Sequence, residues 1–314
     1  RPSKILRCRG LKALQIPESI EKVAVSGVID EALAPILVEL ATRGPGTHLV
    51  LLESARALSH TLGEVEALLG LDRPATHGIR TCELPCLADY EHVEDIRAEK
   101  QCDISRVIAL IDETARSRAA LLVFATPDAL LQDLPHASRV RHARLELSLG
   151  QTFPFEELKH QLGNELGYGY EAVCEHPGQF AVRGGLIDVY PVNALEPLRI
   201  DFFGDEIDSI KSYDPTTQLT EEPVKTLNIY PAEWESGGEE PETLLDYLDQ
   251  PCRWYVRNAR ALESKHHHHF SRPERMRPGA KPTIERAWMR IPAVKDTWHS
   301  LDEWEEPSQL FGER

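Results

Sequence analysis

Long apolar runs are missing from this chain. No stretch of its 314 residues approaches the ~20 consecutive apolar residues that a membrane-spanning helix needs. The basic N-terminus, RPSKILRCRG, has no apolar segment behind it and does not read as a secretory signal, so a cytoplasmic location is the default expectation. Positive charge is also scarce: 35 Lys and Arg stand against 51 Asp and Glu, for a net charge of −16. A protein that grips nucleic acid through its phosphates needs a basic patch. The bulk charge therefore argues against DNA as the main ligand and suits docking onto a basic partner surface. The six cysteines are scattered, and only Cys82 and Cys86 lie close together. A structural zinc site usually brings two close-spaced ligand pairs, so the expectation is reduced, structural cysteines and no metal. Gly-x-Ser-x-Gly and His-Glu-x-x-His motifs are lacking too, and the internal run His266 to His269 reads as a loop.

What is present is enough for a packed core: 41% hydrophobic and 27% charged residues, in a length that suggests roughly two domains. Lys22 to Val28 reads as a strand. A helix follows, with Ala32, Ile36, Leu37, Leu40 and Ala41 on one face, ended by Gly44-Pro45-Gly46. Thr47 to Leu52 is a second strand, and Arg56 to Leu69 a second amphipathic helix stopped by Gly70. This alternation predicts a parallel α/β layer. His77 to Lys100 reads as surface loop. Ile104, Val107, Ile108 and Ile111 form a helix stripe, Ala119 to Ala125 a strand, and Asp128 to Leu134 a short helix.

The texture changes near Ser148. A helix opened by Pro154 carries Phe155, Leu158, Leu162 and Leu166, and a β-rich stretch follows through about Pro231. Beyond a polar linker come a helix from Thr243 to Leu248, a strand from Arg253 to Val256, and a tail holding Trp288, Trp298 and Trp304. Within the β-rich stretch, the run from Gln179 to Asp214 holds four short apolar segments separated by turn residues. Gly204-Asp205 suits a two-residue hairpin turn with positive φ at its first residue. Leu198, Ile200 and Phe202 alternate with Arg199, Asp201 and Phe203, so period-two alternation puts the second set on the opposite face. The same logic turns Phe180 and Val182 inward and Arg183 outward. One face would then show two arginines and a phenylalanine, residue types enriched at binding hot spots. Alternation alone also allows Phe203 to pack under a helix, with both arginines as ordinary solvated charges.

Two stretches imitate nucleotide chemistry. After Gly27, in VSGVIDEALA, a phosphate-binding loop would need a Lys and a Ser or Thr; Leu33 and Ala34 stand in those places. Asp30 and Glu31 would repel phosphates, by about 4 kcal/mol for each ~4 Å contact at an effective dielectric near 20. The loop is expected not to bind nucleotide. ALIDE, at 109–113, imitates a magnesium-binding strand end, but its helical period makes Asp112 and Glu113 solvated helix residues.

The runs PGQFAVRGGLIDVYP at 177–191 and LRIDFFGDEIDSIKSYDPTTQ at 198–218 resemble the second domain shared by the bacterial excinuclease protein UvrB and the transcription-repair coupling factor. LKHQLGNELGYGYEAV at 158–173 and NIYPAEW at 228–234 are similar to that domain's flanks. UvrB has a working phosphate loop and a tyrosine-rich DNA-inserting hairpin. Here the loop is degenerate, and the corresponding region, roughly 83–104, holds only Tyr90. Together with the DPTTQ ending, this is similar to the N-terminal module of the coupling-factor family. The resemblance implies a degenerate RecA-like α/β domain (1–145 and 229–314) with an inserted α+β domain (146–228), no ATPase activity and no cofactor. It implies recruitment of the excinuclease protein UvrA through Arg183, Arg199 and Phe203. RNA polymerase and double-stranded DNA would be engaged only by other domains of the full-length family protein. The alternatives are an ATP-driven damage-verification protein of the UvrB type and a stand-alone regulator that competes for UvrA.

Overall fold

The computed structural model describes residues 30–70, 78–90, 94–117, 119–234, 242–248 and 252–257. Its first layer is built from α1 (Asp30–Arg43), β1 (Gly46–Leu51), α2 (Ala55–Leu69), β2 (Ile79–Glu83), α3 (Glu94–Ala115), β3 (Ala120–Ala125), and the short helices α4 (Pro127–Leu130) and α5 (Ala137–Ala143). α2 starts where the Ser54 side chain accepts from the Ala57 N–H. It ends where Gly70 takes φ 60° and its N–H returns to the Glu66 carbonyl, a geometry glycine adopts without steric cost.

β1, β2 and β3 are parallel, and β12 (Arg253–Val256) completes a four-stranded sheet in the order β12-β1-β3-β2. Both faces are covered. Val50, Leu52, Leu122 and Phe124 pack with α1 and α2. Leu49, Leu51, Leu121 and Val123 pack with Ile104, Val107, Ile108 and Ile111 of α3. Covered faces explain why β3, ALLVFA, is apolar at every position and buried throughout. This is the parallel α/β layer that the alternation predicted.

The chain leaves this layer along β4 (Leu145–Ser148) and returns along β11 (Thr226–Ile229), and the two pair antiparallel from Leu145–Ile229 to Ser148–Thr226. Between them lie α6 (Phe155–His160), which runs into a π turn over Gln161–Glu165, and β5 (Gly169–Tyr170), β6 (Gln179–Arg183), β7 (Leu186–Tyr190), β8 (Leu198–Phe203), β9 (Glu206–Tyr213) and β10 (Thr220–Pro223). These strands form a six-stranded sheet in the order β10-β9-β8-β7-β6-β5. Leu158, Leu162 and Leu166 cover one face of it, against Phe180, Ile187, Val189, Ile200, Phe202 and Ile210.

Several local expectations are corrected. His77 to Lys100 is not all loop: β2 and the first turns of α3 lie within it. β2, IRTCE, is an edge strand that buries only Ile79 and Cys82, and the opening turns of α3 are charged, so neither offers an apolar period. The helix expected over Asp128–Leu134 is a single turn from Pro127, capped by Thr126. Thr243–Leu248 is a 3₁₀ turn over Leu244–Tyr247. The strand expected at Lys22–Val28, the His266–His269 run and the tryptophan-bearing tail lie outside the described residues.

Candidate functional site

The open face of the six-stranded sheet carries the chemistry. At the tip of the β8–β9 hairpin, Gly204 has φ 67°, and the Phe203–Glu206 pair closes the turn. The tip is braced from behind. Asp205 accepts from the Phe153 N–H through its backbone carbonyl and from the Phe155 N–H through its carboxylate. Phe202 meets the Phe155 ring edge-to-face at 5.2 Å. Phe202 is thereby fixed inward, and Phe203 is presented outward with 83% of its surface exposed. A bulge between Asp201 and Phe202 adds twist at this point.

Behind the tip, Arg199 lies opposite Asp188 of β7. Its Nε donates to Asp188 Oδ1 at 2.7 Å and its Nη2 to Oδ2 at 2.8 Å. This is a bidentate pair in which the Arg199 side chain is 16% exposed and that of Asp188 2%. The guanidinium also sits 4.6 Å from the ring centroid of Tyr213, a cation–π contact. The hydrogen bond to Asp188, chiefly, raises the Arg199 pKa above its ordinary value. Cys174 lies buried beneath, with its thiol 3.4 Å from the Asp188 carbonyl. Burial pushes this thiol up to about 12, which keeps it neutral.

Arg183, at the end of β6, is exposed. Its Nη2 donates to the Ala172 carbonyl at 2.8 Å and its Nη1 to Gln218 Oε1 at 3.2 Å. Gln218 reaches Arg199 as well, accepting from Nη2 at 3.1 Å. The structure thus joins Arg183 and Arg199 through one amide and sets Phe203 further along β8. Asp188 and Gln218 are the residues that sequence reasoning did not single out. Their signals were a carboxylate on the outward register of an apolar strand, directly opposite Arg199, and the last letter of DPTTQ.

The degenerate loop is partly described. Gly27 lies outside the described residues, and α1 begins at Asp30 and continues through Glu31. Leu33 packs half-buried against the core and Ala34 is 1% exposed. Both positions face apolar neighbours. Cys82, Cys86, Cys102 and Cys174 carry free thiols. Glu157, His160 and Glu165 present ligand-type atoms within 4.8 Å of one another, all exposed; Glu157 already accepts from Gln161, and the three are surface charges.

Asp112 and Glu113 are not the solvated helix residues expected. Asp112 is 7% exposed. Its carboxylate lies 3.0 Å from Arg116, 3.3 Å from Arg144 and 3.8 Å from Arg141, and it accepts from the Tyr230 hydroxyl. Glu113 pairs with Arg80 at 2.8 Å and accepts from Asn193 at 2.6 Å. Helical period located both residues on α3, but partners far along the chain, Tyr230 for Asp112 and Asn193 for Glu113, complete their surroundings.

Comparison with known proteins gives this sheet a family. Residues 145–234 match the model of the UvrB interaction domain. The chain is 37% identical over 130 residues to the transcription-repair-coupling factor of Haemophilus influenzae, covering 41% of this chain and 11% of that protein. The Escherichia coli protein of that name is 36% identical over 150 residues, 46% of this chain and 13% of its own length. The Bacillus subtilis protein is 33% identical over 113 residues, 36% of this chain and 10% of its own. The matched part therefore spans only about a tenth of these relatives. Residues 145–234 match the UvrB interaction domain, and the chain that carries them is similar to the UvrB-homology module of transcription-repair coupling factors.

Proposed function

We propose that this chain is a non-catalytic interaction module that recruits the excinuclease protein UvrA during transcription-coupled nucleotide excision repair. The observation that carries the reading is Phe203, a large aromatic side chain 83% exposed on a hairpin tip braced so that it cannot fold back. Arg183, two strands away on the same face in register with Asp201, keeps the Nε–H and one N–H on each terminal nitrogen without a partner among the described residues. An aromatic anchor with a planar cationic donor nearby is the usual make-up of an interface hot spot. Phe203 fills a pocket on UvrA, and the surface that Arg183 presents and Arg199 supports from behind meets carboxylates or backbone carbonyls around it.

In this proposal residues 146–228 form the docking domain. Residues 1–145 and 229–314 form a RecA-like layer derived from nucleotide-binding ancestors, whose loop at Gly27, Asp30, Glu31, Leu33 and Ala34 binds no nucleotide. RNA polymerase and double-stranded DNA are engaged by other parts of the coupling-factor architecture. Truncating a hot-spot side chain typically costs about 2 kcal/mol or more, roughly 30-fold in affinity. Phe203→Ala is therefore expected to abolish capture of purified UvrA by the immobilised chain, with the melting temperature little changed because the side chain is largely exposed. Capture equal to wild type would remove Phe203 from the interface.

A further inference from the structure

Gln218 occupies a backbone conformation that its side chain does not favour. Its φ of 61° is the only positive value among the described non-glycine residues, and left-handed backbone costs a residue with a Cβ about 1 kcal/mol or more. The surrounding turn imposes it. Asp214 Oδ1 accepts from the N–H groups of Thr216 and Thr217, and the Gln218 N–H returns to the Asp214 carbonyl at 2.8 Å. A glycine would fit this backbone without strain, so the glutamine side chain has a use that offsets the strain.

That use is visible in its contacts. Gln218 Nε2 donates to the Pro215 carbonyl at 2.8 Å, which orients the amide. Oε1 then accepts from Arg183 at 3.2 Å and from Arg199 at 3.1 Å. Arg199 has little left for a partner. Its Nε and Nη2 hold Asp188, Nη2 also serves Gln218 Oε1, and Nη1 lies 3.5 Å from the Gln218 carbonyl. Arg183 is held at two points and remains exposed.

We propose that Gln218 is a positioning residue of the docking face: its side-chain carbonyl holds Arg183 in the pose a partner meets, and Arg199, locked to Asp188, holds Gln218. Ordering a long side chain at an interface costs about 0.5–1.5 kcal/mol, and a prepaid pose lowers that cost. The inference rests on the recruitment reading for its consequence and on the free chain for its geometry.

The test combines a binding cycle with a measurement on the free protein. Gln218→Gly relieves the backbone while removing the amide, so its melting temperature is expected to equal or exceed wild type while affinity for UvrA falls about tenfold. Added to Arg183→Ala it costs little more than Arg183→Ala alone, because coupled residues are not additive. Losses that multiply in the double variant would overturn the proposal. Arg199→Lys loses the fork and falls as far as Arg199→Ala; wild-type affinity in Arg199→Lys would make Arg199 a direct charge contact and overturn its positioning role. In the chain alone, ¹⁵N relaxation of the Arg183 Nε–H is expected to show increased nanosecond motion in Gln218→Gly. Unchanged order there overturns the proposal whatever UvrA does, whereas a wild-type chain that fails to bind UvrA overturns only the recruitment reading.

Discussion

Asp112 answers several cations at once. Arg116, Arg141 and Arg144 surround its carboxylate, and the Tyr230 hydroxyl donates to it. Removing a buried acceptor is costlier than the pair is worth, because the abandoned groups stay desolvated. Arg116 is about half exposed and can turn to water, but Arg144 and Tyr230 cannot. Asp112→Ala is therefore expected to destabilise the fold by about 3 kcal/mol, the low end for a broken buried pair, read as a lower urea midpoint. Loss no greater than that of an exposed-charge variant such as Glu146→Ala would show the cluster to be solvated after all. The same residue marks a limit of sequence reading. The stripe of Ile104, Val107, Ile108 and Ile111 was legible, and it left Asp112 looking like the wet side of a helix. What buries it is Tyr230, 118 positions away, and no local period encodes such a partner. Phe203 was half legible for the opposite reason: strand alternation within six residues sets its outward face, and the structure adds that it stays largely exposed there.

At the scale of elements, β12 is the weakest member of its sheet by length, four residues paired on one side to β1. A buried histidine supports it. His48 of β1 accepts or donates at Nδ1 with the Tyr255 hydroxyl at 2.9 Å and at Nε2 with the Gly44 carbonyl at 2.9 Å. The two rings stack at 5.7 Å and 4°. Nε2 must donate to the carbonyl, and in the neutral ring Nδ1 then accepts from the tyrosine hydroxyl. Burial, aided by the nearby Arg253 charge, lowers its pKa below the ordinary 6.5, against a smaller upward pull from the Gly44 hydrogen bond. The unfolded chain therefore takes up a proton first as pH falls. His48 leaves stability unaffected above pH 6.5 and lowers it as pH drops from 6.5 toward the depressed folded value. Melting temperatures are expected to fall as pH drops below about 6.5, and less steeply in His48→Gln. Equal slopes in the two proteins would rule His48 out as the titrating group. β12, β3 and α2 were all legible, since each is apolar or amphipathic over its whole length. β2 and the first turns of α3 were not, because an edge strand and a charged helix entry bury too few residues to set a period.

In the whole molecule, α3 is the spine shared by the parallel layer and the UvrB interaction domain. Ser105 donates to the Ala232 carbonyl, Cys102 to that of Pro177, and Glu113 accepts from Asn193. Gly178, at φ 86°, approaches so closely that a Cβ there would stand 3.1 Å from the Cys102 sulfur. With β4 and β11 zipped together, the chain leaves and rejoins the layer at one place. An α/β layer in this setting invites the question whether it handles ATP, and the packing of α1 bears on the answer. Leu33 and Ala34, where a phosphate loop would carry Lys and Ser or Thr, contribute to the hydrophobic core. Restoring a loop of that type would place a charge and a hydroxyl against apolar neighbours. A nucleotide bound at about 100 times its dissociation constant would add about 2.7 kcal/mol to stability, an easily measured rise in melting temperature. Millimolar MgATP is expected to leave the wild-type melting temperature unchanged. Leu33→Lys with Ala34→Thr is expected to lower it, since enlarging a packed position costs about 1–3 kcal/mol, and to gain no response to MgATP, because Asp30 and Glu31 still oppose phosphate at the start of α1. A rise with MgATP in the wild-type chain would overturn the non-catalytic reading and favour an ATP-driven repair protein instead.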